Sequence, residues 1–189
     1  MTEDLLIRPV AEGDWDAVVA MESSAYSGLG LSEERTALRS RADASPTTCF
    51  VVEIAERPAG YLLSLPYPAG RYPDLGQVEG GGFPSRNLHL HDIVIAAAHR
   101  RQGLAHRLLA HLEKTARAQG YERISLVAVG GSERFWSARG FTHHADAAAV
   151  DAYHEGARYM SRSLTDEASP SRPAATPAPA GPPLPPEVS

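Results

Sequence analysis

Two short stretches of this 189-residue chain carry side chains whose types and spacing could do chemistry. The first is Leu88-His89-Leu90-His91-Asp92, inside an apolar run that extends to Ala96. Residues two apart on a strand face the same way, so a strand here puts His89 and His91 on one face with Ile93 and Ile95 and turns Leu90, Asp92 and Val94 to the other. Imidazole titrates near pH 6.5, which suits it to take a proton from a cationic group around neutrality, directly or through a water. An ordinary core or surface histidine is the competing reading of each. The second stretch is Arg100-Arg101-Gln102-Gly103-Leu104-Ala105-His106, at the point where a long helical pattern begins. Backbone N–H groups at a helix start are unpaired and, with the helix dipole, form an anion site. Gly103 and Ala105 lack bulk and let an anion approach the backbone, and Arg100 and Arg101 add positive charge. Such a turn on its own is equally consistent with capping and solubility. Neither the Walker pattern nor the Gly-x-Gly-x-x-Gly dinucleotide fingerprint is present.

Both stretches need elements to position them. Leu88 to Ala96 is the strongest strand pattern and Gln102 to Gln119 the strongest helix, with Leu104, Leu108, Leu109, Leu112 and Ala116 on one face and Gly120 as its stop. Upstream, Leu5 to Pro9 reads as a strand. Asp14 caps a helix to about Ser24, with Val18, Met21 and Ala25 on one stripe, and Ser32 caps a second helix with Glu33 and Glu34 in its first turn. Thr47 to Glu56 and Gly60 to Leu65 form a hairpin around Glu56-Arg57-Pro58-Ala59-Gly60. The Gly- and Pro-dense stretch from Pro66 to Arg86 reads as a loop over a site, with a plain surface excursion as the alternative. Downstream come a strand at Arg123 to Val129, a short helix at Ser132 to Arg139, and closing strands at Phe141 to Val150 and Arg158 to Leu164. The order β-α-α-β-β-β-α-β-α-β-β calls for a mixed α/β fold, a mixed sheet with helices on both faces. One domain over residues 1–164 is expected, followed by a tail at 165–189 that holds eight of the fifteen prolines and is expected to be disordered.

Composition removes several classes of function. A net charge of −5 argues against a dedicated nucleic-acid binder and suits cationic ligands. The acidic Met1-Thr2-Glu3-Asp4 start and the lack of a long apolar run predict no signal peptide, no membrane partner and a cytoplasmic location. Cys49 is the only cysteine and reads as a buried thiol. With Asp92 turned away from the histidines, no cysteine pair and no His-Glu-x-x-His, no metal site is expected. Oligomeric state is left open, a homodimer being the commonest arrangement.

Strand, then Arg100-x-x-Gly103-x-Ala105, then a long amphipathic helix, resembles the acetyl-CoA pyrophosphate loop of the GNAT superfamily of N-acetyltransferases. Phe135-Trp136-x-x-x-Gly140-Phe141 resembles the family's second motif, and the element order from Leu5 to Leu164 matches as well. The resemblance implies a mostly antiparallel central sheet and acetyl-CoA as acetyl donor. It implies that Ile93, Val94 and Ile95 pair by backbone with the pantetheine arm, and that the backbone of Arg100, Arg101, Gln102, Gly103, Leu104, Ala105 and His106 holds the pyrophosphate. Leu88-His89-Leu90-His91 ahead of that loop is similar to arylalkylamine N-acetyltransferases, and carried over it makes His89 and His91 the base relay for an amine substrate.

An amine of pKa near 10 arrives protonated, so transfer at neutral pH needs such a base. A backbone N–H near Val94 is the expected oxyanion donor. Asp92, Glu33, Glu34, Asp74 and Glu79 are candidates to attract a cationic substrate, each set against a solvated surface role. One departure stands out. The family usually has a tyrosine at the position of Trp136, and an indole N–H cannot protonate the leaving thiolate; Trp136 is expected to pack on the cofactor arm or in the core, with Tyr153, Tyr159 and Ser132 as alternative donors. The implied function is acetylation of the primary amine of a small molecule, arylalkylamine- or polyamine-like. The rivals are acetylation of a protein lysine or N-terminus, and a non-catalytic acyl-CoA-binding module.

Overall fold

The computed structural model describes residues 5–145, 153 and 155–165. Its elements are β1 (Leu5–Pro9), α1 (Trp15–Tyr26), α2 (Arg35–Ala44), β2 (Phe50–Ile54), β3 (Arg57–Pro66), β4 (Asn87–Ile95), α3 (Leu104–Ala118), β5 (Arg123–Ala128), α4 (Glu133–Ser137), β6 (Thr142–His143) and β7 (Arg158–Ser163). They form one seven-stranded sheet in the order β1-β2-β3-β4-β5-β7-β6, antiparallel throughout except for the parallel pair β4 and β5. The expected closing strand from Phe141 is realised as β6 alone; the rest of that span, 146–150, and the proline-rich tail from 166 onward lie outside the described residues. No helix among the described residues is long and apolar enough to cross a membrane.

The alternation of β2, β3 and β4 sends side chains into two cores. On one face Leu62, Leu88 and Leu90 pack against the Leu104, Leu108, Leu109 and Leu112 stripe of α3, together with Trp136 of α4. On the other, Val51, Tyr61, Leu63 and Val94 pack against Val18 of α1 and Leu38 and Ala42 of α2. Helices thus cover both faces, as the element order requires.

Three local expectations change. Asp14 precedes α1, but its carboxylate is taken by Arg8 at 2.7 Å and by the Ala11 N–H at 2.7 Å, so it ties the β1 end to the turn instead of capping the helix. Helix α2 begins at Arg35, not after Ser32, because the Ser32 hydroxyl donates to Glu22 at 2.6 Å and Glu33 is drawn inward. The third change is in β4. Leu63 pairs with Asp92 and Ser64 with Leu90, leaving His91 as an unpaired bulge residue. Before it, the even-numbered Leu88 and Leu90 face α3; after it, the odd-numbered Ile93 and Ile95 do, and Val94 faces α1 and α2. A bulge shifts the face of every later residue, so His91 does not share a face with Ile93 and Ile95, and Asp92 is not turned away from it.

Strand β3 depends on a close approach at Gly60, where a Cβ would lie 2.6 Å from Ile95 Cδ1 and 2.8 Å from the Val94 carbonyl oxygen. A backbone atom cannot swing aside, so Gly60→Ala is expected to cost about 2 kcal/mol through overpacking. Urea denaturation of the variant against the parent chain measures it.

Candidate active site

Strands β4 and β5 are paired only over Asn87, Leu88 and His89, opposite Arg123, Ile124 and Ser125. Past His89 they part. A cleft of about 280 Å³ opens there, lined among others by Ile93, Ala105, Leu126, Ser132, Phe135 and Trp136, and it ends at Tyr26, His91 and Asp92. Those last three residues also line a smaller chamber of about 50 Å³, closed by Glu22, Leu31, Glu33, Leu75 and Tyr153. The two cavities meet at the bulge.

The turn expected to hold an anion sits at the far end of the cleft. Arg101 (φ 64°) and Gly103 (φ 77°) both take left-handed backbone, which bends the chain sharply into α3. The first bond of the helix runs from the Arg107 N–H to the Gly103 carbonyl, so the N–H groups of Leu104, Ala105 and His106 have no partner within the helix. Arg100, Arg101, Gln102, Gly103 and His106 are exposed. The Arg100 Nε–H donates to the Ile95 carbonyl at 3.3 Å, tying the turn to the end of β4.

The backbone directions of β4 sharpen one expectation. The Ala96 N–H bonds the Ala59 carbonyl at 2.9 Å, and the register pairs Val94 with Tyr61. Bonding alternates along an antiparallel ladder, so the amides of Asp92 and Val94 point to β3 and those of Ile93 and Ile95 point to the gap. Ile93 and Ile95, and not Val94, therefore offer backbone groups to the cleft.

His91 is 3 % exposed at its side chain, and its Nε2 lies 2.5 Å from Glu33 Oε2. The other Glu33 oxygen accepts from Arg41 at 2.8 Å and from the Gly76 N–H at 2.9 Å. Burial alone would raise the Glu33 carboxyl; the His91 hydrogen bond, the charges of His91 and Arg41 and the Gly76 N–H outweigh it and bring it from 4.5 down to about 2. An ionised carboxylate only accepts, so Nε2 of His91 carries the hydrogen. The Nδ1 of His91 is buried and has no hydrogen-bond partner, and on the neutral ring it holds the lone pair.

Beside it, Asp92 accepts from the Tyr61 hydroxyl through Oδ2, while its buried Oδ1 has no partner. Burial raises this carboxyl to about 6, against the opposing effects of the His91 charge and the Tyr61 and Tyr26 hydroxyls. Burial likewise holds the Tyr26 phenol well above its ordinary range and so keeps it protonated.

His89 has a different environment from His91. It is fully enclosed, with Nδ1 3.1 Å from Ser125 Oγ, its ring 6.5 Å from and nearly parallel to that of Tyr159, and 6.4 Å from that of His91. Burial, and then the charges of His91 and Arg41, hold it well below the ordinary histidine range, hence neutral. The structure therefore brings His91 to the cavity and leaves His89 behind it.

Of the alternative proton donors, Ser132 lines the cleft and Tyr153 the chamber, its hydroxyl donating to the Pro73 carbonyl. The Tyr159 hydroxyl instead accepts from the Gly70 N–H at 2.8 Å. Trp136 lines the cleft from within the α3 core, edge-on to Phe135 and Phe141.

Sequence reasoning missed Glu22, Tyr26, Arg41 and Tyr61. The i, i+4 spacing of Glu22 and Tyr26 places both on one face of α1, and Arg41 interrupts the buried Ala37, Leu38 and Ala42 of α2. Polar residues on an otherwise apolar face were the available signal. The segment between β3 and β4 is irregular, as expected, and is held in place: Arg41 donates to the carbonyls of Asp74 and Gln77 at 3.0 and 2.8 Å and to Glu79 at 2.9 Å.

The turn that opens α3, the cleft between the parting parallel strands and His91 at its inner end form one continuous groove. The acetyltransferase (GNAT) family model matches residues 15–141, well over half of the chain, and the chain belongs to that family. It is an acetyl-CoA-dependent acetyltransferase. Among solved structures it is similar to the loading GNATL domain of CurA from Lyngbya majuscula, with TM-score 0.70 and 16 % identity over 85 % of this chain and 98 % of that one. It is similar to Ard1 from Thermoplasma volcanium, with TM-score 0.66 and 16 % identity over 84 % and 97 %. N-acetylglutamate synthase from Neisseria gonorrhoeae, complexed with coenzyme A and N-acetyl-glutamate, gives TM-score 0.65 and 16 % identity over 85 % of this chain and 35 % of that one. These likenesses are of fold. A sequence search of curated proteins found no match.

Glu33 has a folded pKa below its unfolded one, so its ionisation contributes stability that is present above about pH 4.5 and is lost as pH falls toward about 2. Acid titration followed by circular dichroism, parent against Glu33→Gln, is expected to show the parent losing on the order of 3 kcal/mol across that window and the variant lacking the step.

Proposed function

We propose that this enzyme acetylates the primary amine of a small molecule by direct attack, with His91 as the base. The observation that carries the reading is the His91 ring itself: Nε2 is fixed to ionised Glu33, the buried Nδ1 has no hydrogen-bond partner, and the residue lines both the cleft and the chamber. A histidine oriented through one nitrogen by a carboxylate takes protons at the other.

Acetyl-CoA supplies an acetyl carbon activated by its thioester. The chain's residues fit that donor. The N–H groups of Leu104, Ala105 and His106, with Arg100, Arg101, Gln102 and Gly103 around them, suit its pyrophosphate. The backbone of Ile93 and Ile95 suits the arm, and Trp136 walls the cleft beside it. His91 Nδ1 takes one proton from the ammonium, and the lone pair so freed bonds the acetyl carbon to give a tetrahedral oxyanion. As it collapses the C–S bond breaks and the sulfur leaves with the bonding pair as a thiolate of modest basicity; the second N–H proton passes to that thiolate, giving the amide and the free thiol. The Ile93 N–H is directed toward the gap where charge develops on the acetyl oxygen, a position at which one donor contributes about 3 kcal/mol. His89, neutral and bound to Ser125, supports the strand behind His91 and is 6.4 Å away, too far to pass a proton directly.

A small acceptor is favoured over a protein because the chamber holds only about 50 Å³ and Leu75 of the Arg41-anchored segment forms part of its wall. The similarity of Leu88-His89-Leu90-His91 to arylalkylamine N-acetyltransferases supports the same side.

Titration calorimetry with coenzyme A, followed by thiol release from acetyl-CoA over a panel of arylalkylamines, polyamines and an N-terminal peptide, tests the reading. Turnover of small amines is expected. Preference for the peptide, or binding of coenzyme A with no thiol release for any amine, would assign the chain to one of the other readings. His91→Gln is expected to lower kcat/KM about 100-fold or more, with coenzyme A affinity retained.

A further inference from the structure

The chamber beside His91 gathers more buried carboxylates than the lysines and arginines of the chain pair with. Glu22, Glu33 and Asp92 all line it, and each is buried. Glu22 spends its oxygens on the Ser32 hydroxyl at 2.6 Å and the Glu33 N–H at 2.8 Å, neutral donors that leave its charge unpaired. Glu33 is balanced by Arg41, but Arg41 also pairs with Glu79, and its two terminal nitrogens are occupied by Glu33, Glu79 and the carbonyls of Asp74 and Gln77. Asp92 is served by the phenols of Tyr61 and Tyr26, again neutral donors. No Lys or Arg lies among the described residues lining the chamber. Buried carboxylates without a cationic partner are costly, and their persistence at a cavity wall is explained where a ligand brings the cation.

One oxygen is left without a partner. Asp92 Oδ1 is buried and unpartnered, and its residue neighbours His91 in the strand, whose Nδ1 is the other orphan acceptor. Both side chains line both cavities, so both stand where acceptor and acetyl donor meet. A primary ammonium has three N–H bonds. One directed at Asp92 Oδ1 and one at His91 Nδ1 leaves the nitrogen held between an anchor and a base. The remaining walls are the side chains of Leu31, Leu75, Val127 and Val129 with Tyr26 and Tyr153.

We propose that Asp92 is the ammonium anchor of the acceptor, and that the acceptor is a primary amine with no carboxylate beside its nitrogen. An α-carboxylate would be carried into a chamber walled by Glu22, Glu33 and Asp92, where like charge and the absence of an arginine reject it. The inference rests on the transfer reading above and adds the residue and the charge rule that select the substrate.

The test is thiol release by the full chain with phenethylamine and with phenylalanine, which share one body and differ by the carboxylate. The parent is expected to prefer phenethylamine by about 100-fold or more in kcat/KM. Phenylalanine turned over as well as phenethylamine overturns the proposal without any variant being made. Asp92→Asn keeps the size of the side chain and the acceptor for Tyr61 while removing the charge. It is expected to raise KM for phenethylamine by about 50-fold or more and to leave phenylhydrazine, uncharged at the assay pH, within about 3-fold of the parent. Equal losses on the two acceptors would show a structural role for Asp92 and overturn the assignment. If the parent releases no thiol with any amine, the transfer reading itself fails and this inference with it; active parent enzyme with the wrong selectivity fails the inference alone.

Discussion

A single unpaired residue in β4 governs the site. An uninterrupted β4 would alternate from Asn87 to Ile95, and with Leu88 and Leu90 on the α3 side its two histidines would share the opposite face with Ile93 and Ile95. The extra residue at His91 resets the alternation. His91 and Asp92 then line the same cavity, on the side of α1 and α2, while Ile93 and Ile95 are turned to the α3 core. The strand also leaves β5 at this point, after only three parallel pairs. Bulges bend a strand and increase its local twist, and a bend on one side of a parallel pair is what opens a cleft between strands that the fold otherwise holds together. Site and cleft thus share one cause.

The bulge sets positions, and the surrounding charges set protonation. Glu33 reaches His91 only because the chain ahead of α2 is turned inward, with Ser32 and the Glu33 N–H both bound to Glu22. Arg41, 0 % exposed, then fixes Glu33 from the opposite side and reaches across to the β3–β4 segment. The result is a histidine with one defined tautomer, next to a carboxylate that burial brings to about 6. His89, two residues earlier and chemically identical, is held neutral by burial among Tyr67, Tyr159 and Ser125. Environment, not residue type, separates the two.

Much of this was legible in the sequence. The α3 stripe, the β4 strand, the glycine turn between them and the mixed sheet follow from periodicity and punctuation, which are local properties. The shape of the turn from Arg100 to His106 was readable for the same reason: it is seven consecutive residues. The bulge was not, because it exists only as a mismatch between β3 and β4, and nothing in Leu88-His89-Leu90-His91-Asp92 marks where pairing slips. The opposite facing of Asp92 was therefore the wrong inference from a sound rule. Glu33 drew notice as an acidic residue, yet its role depends on Arg41, Gly76 and His91, which lie far apart in the chain. Arg41, Tyr26 and Tyr61 went unread as polar interruptions of apolar faces, and only assembly shows that they converge.

The fate of the tyrosine that the family usually carries at position 136 follows from the same geometry. Trp136 is buried with Phe135 and Phe141 and contributes bulk to the cleft wall. The need for an acid at the sulfur is set by the leaving group: a thiolate of pKa around 8.5 departs far more readily than an alkoxide or amide. What cannot be dispensed with is a base, since an alkylammonium has no lone pair to attack with until a proton is removed. Under the proposed mechanism, a site with an oriented His91 and a tryptophan at 136 keeps the group the chemistry demands. A module that only bound acyl-CoA would need the turn and the cleft. The buried Glu33–His91 pair beside Asp92, an arrangement costly to fold, is used by the proposed amine acetylation and not by such a module.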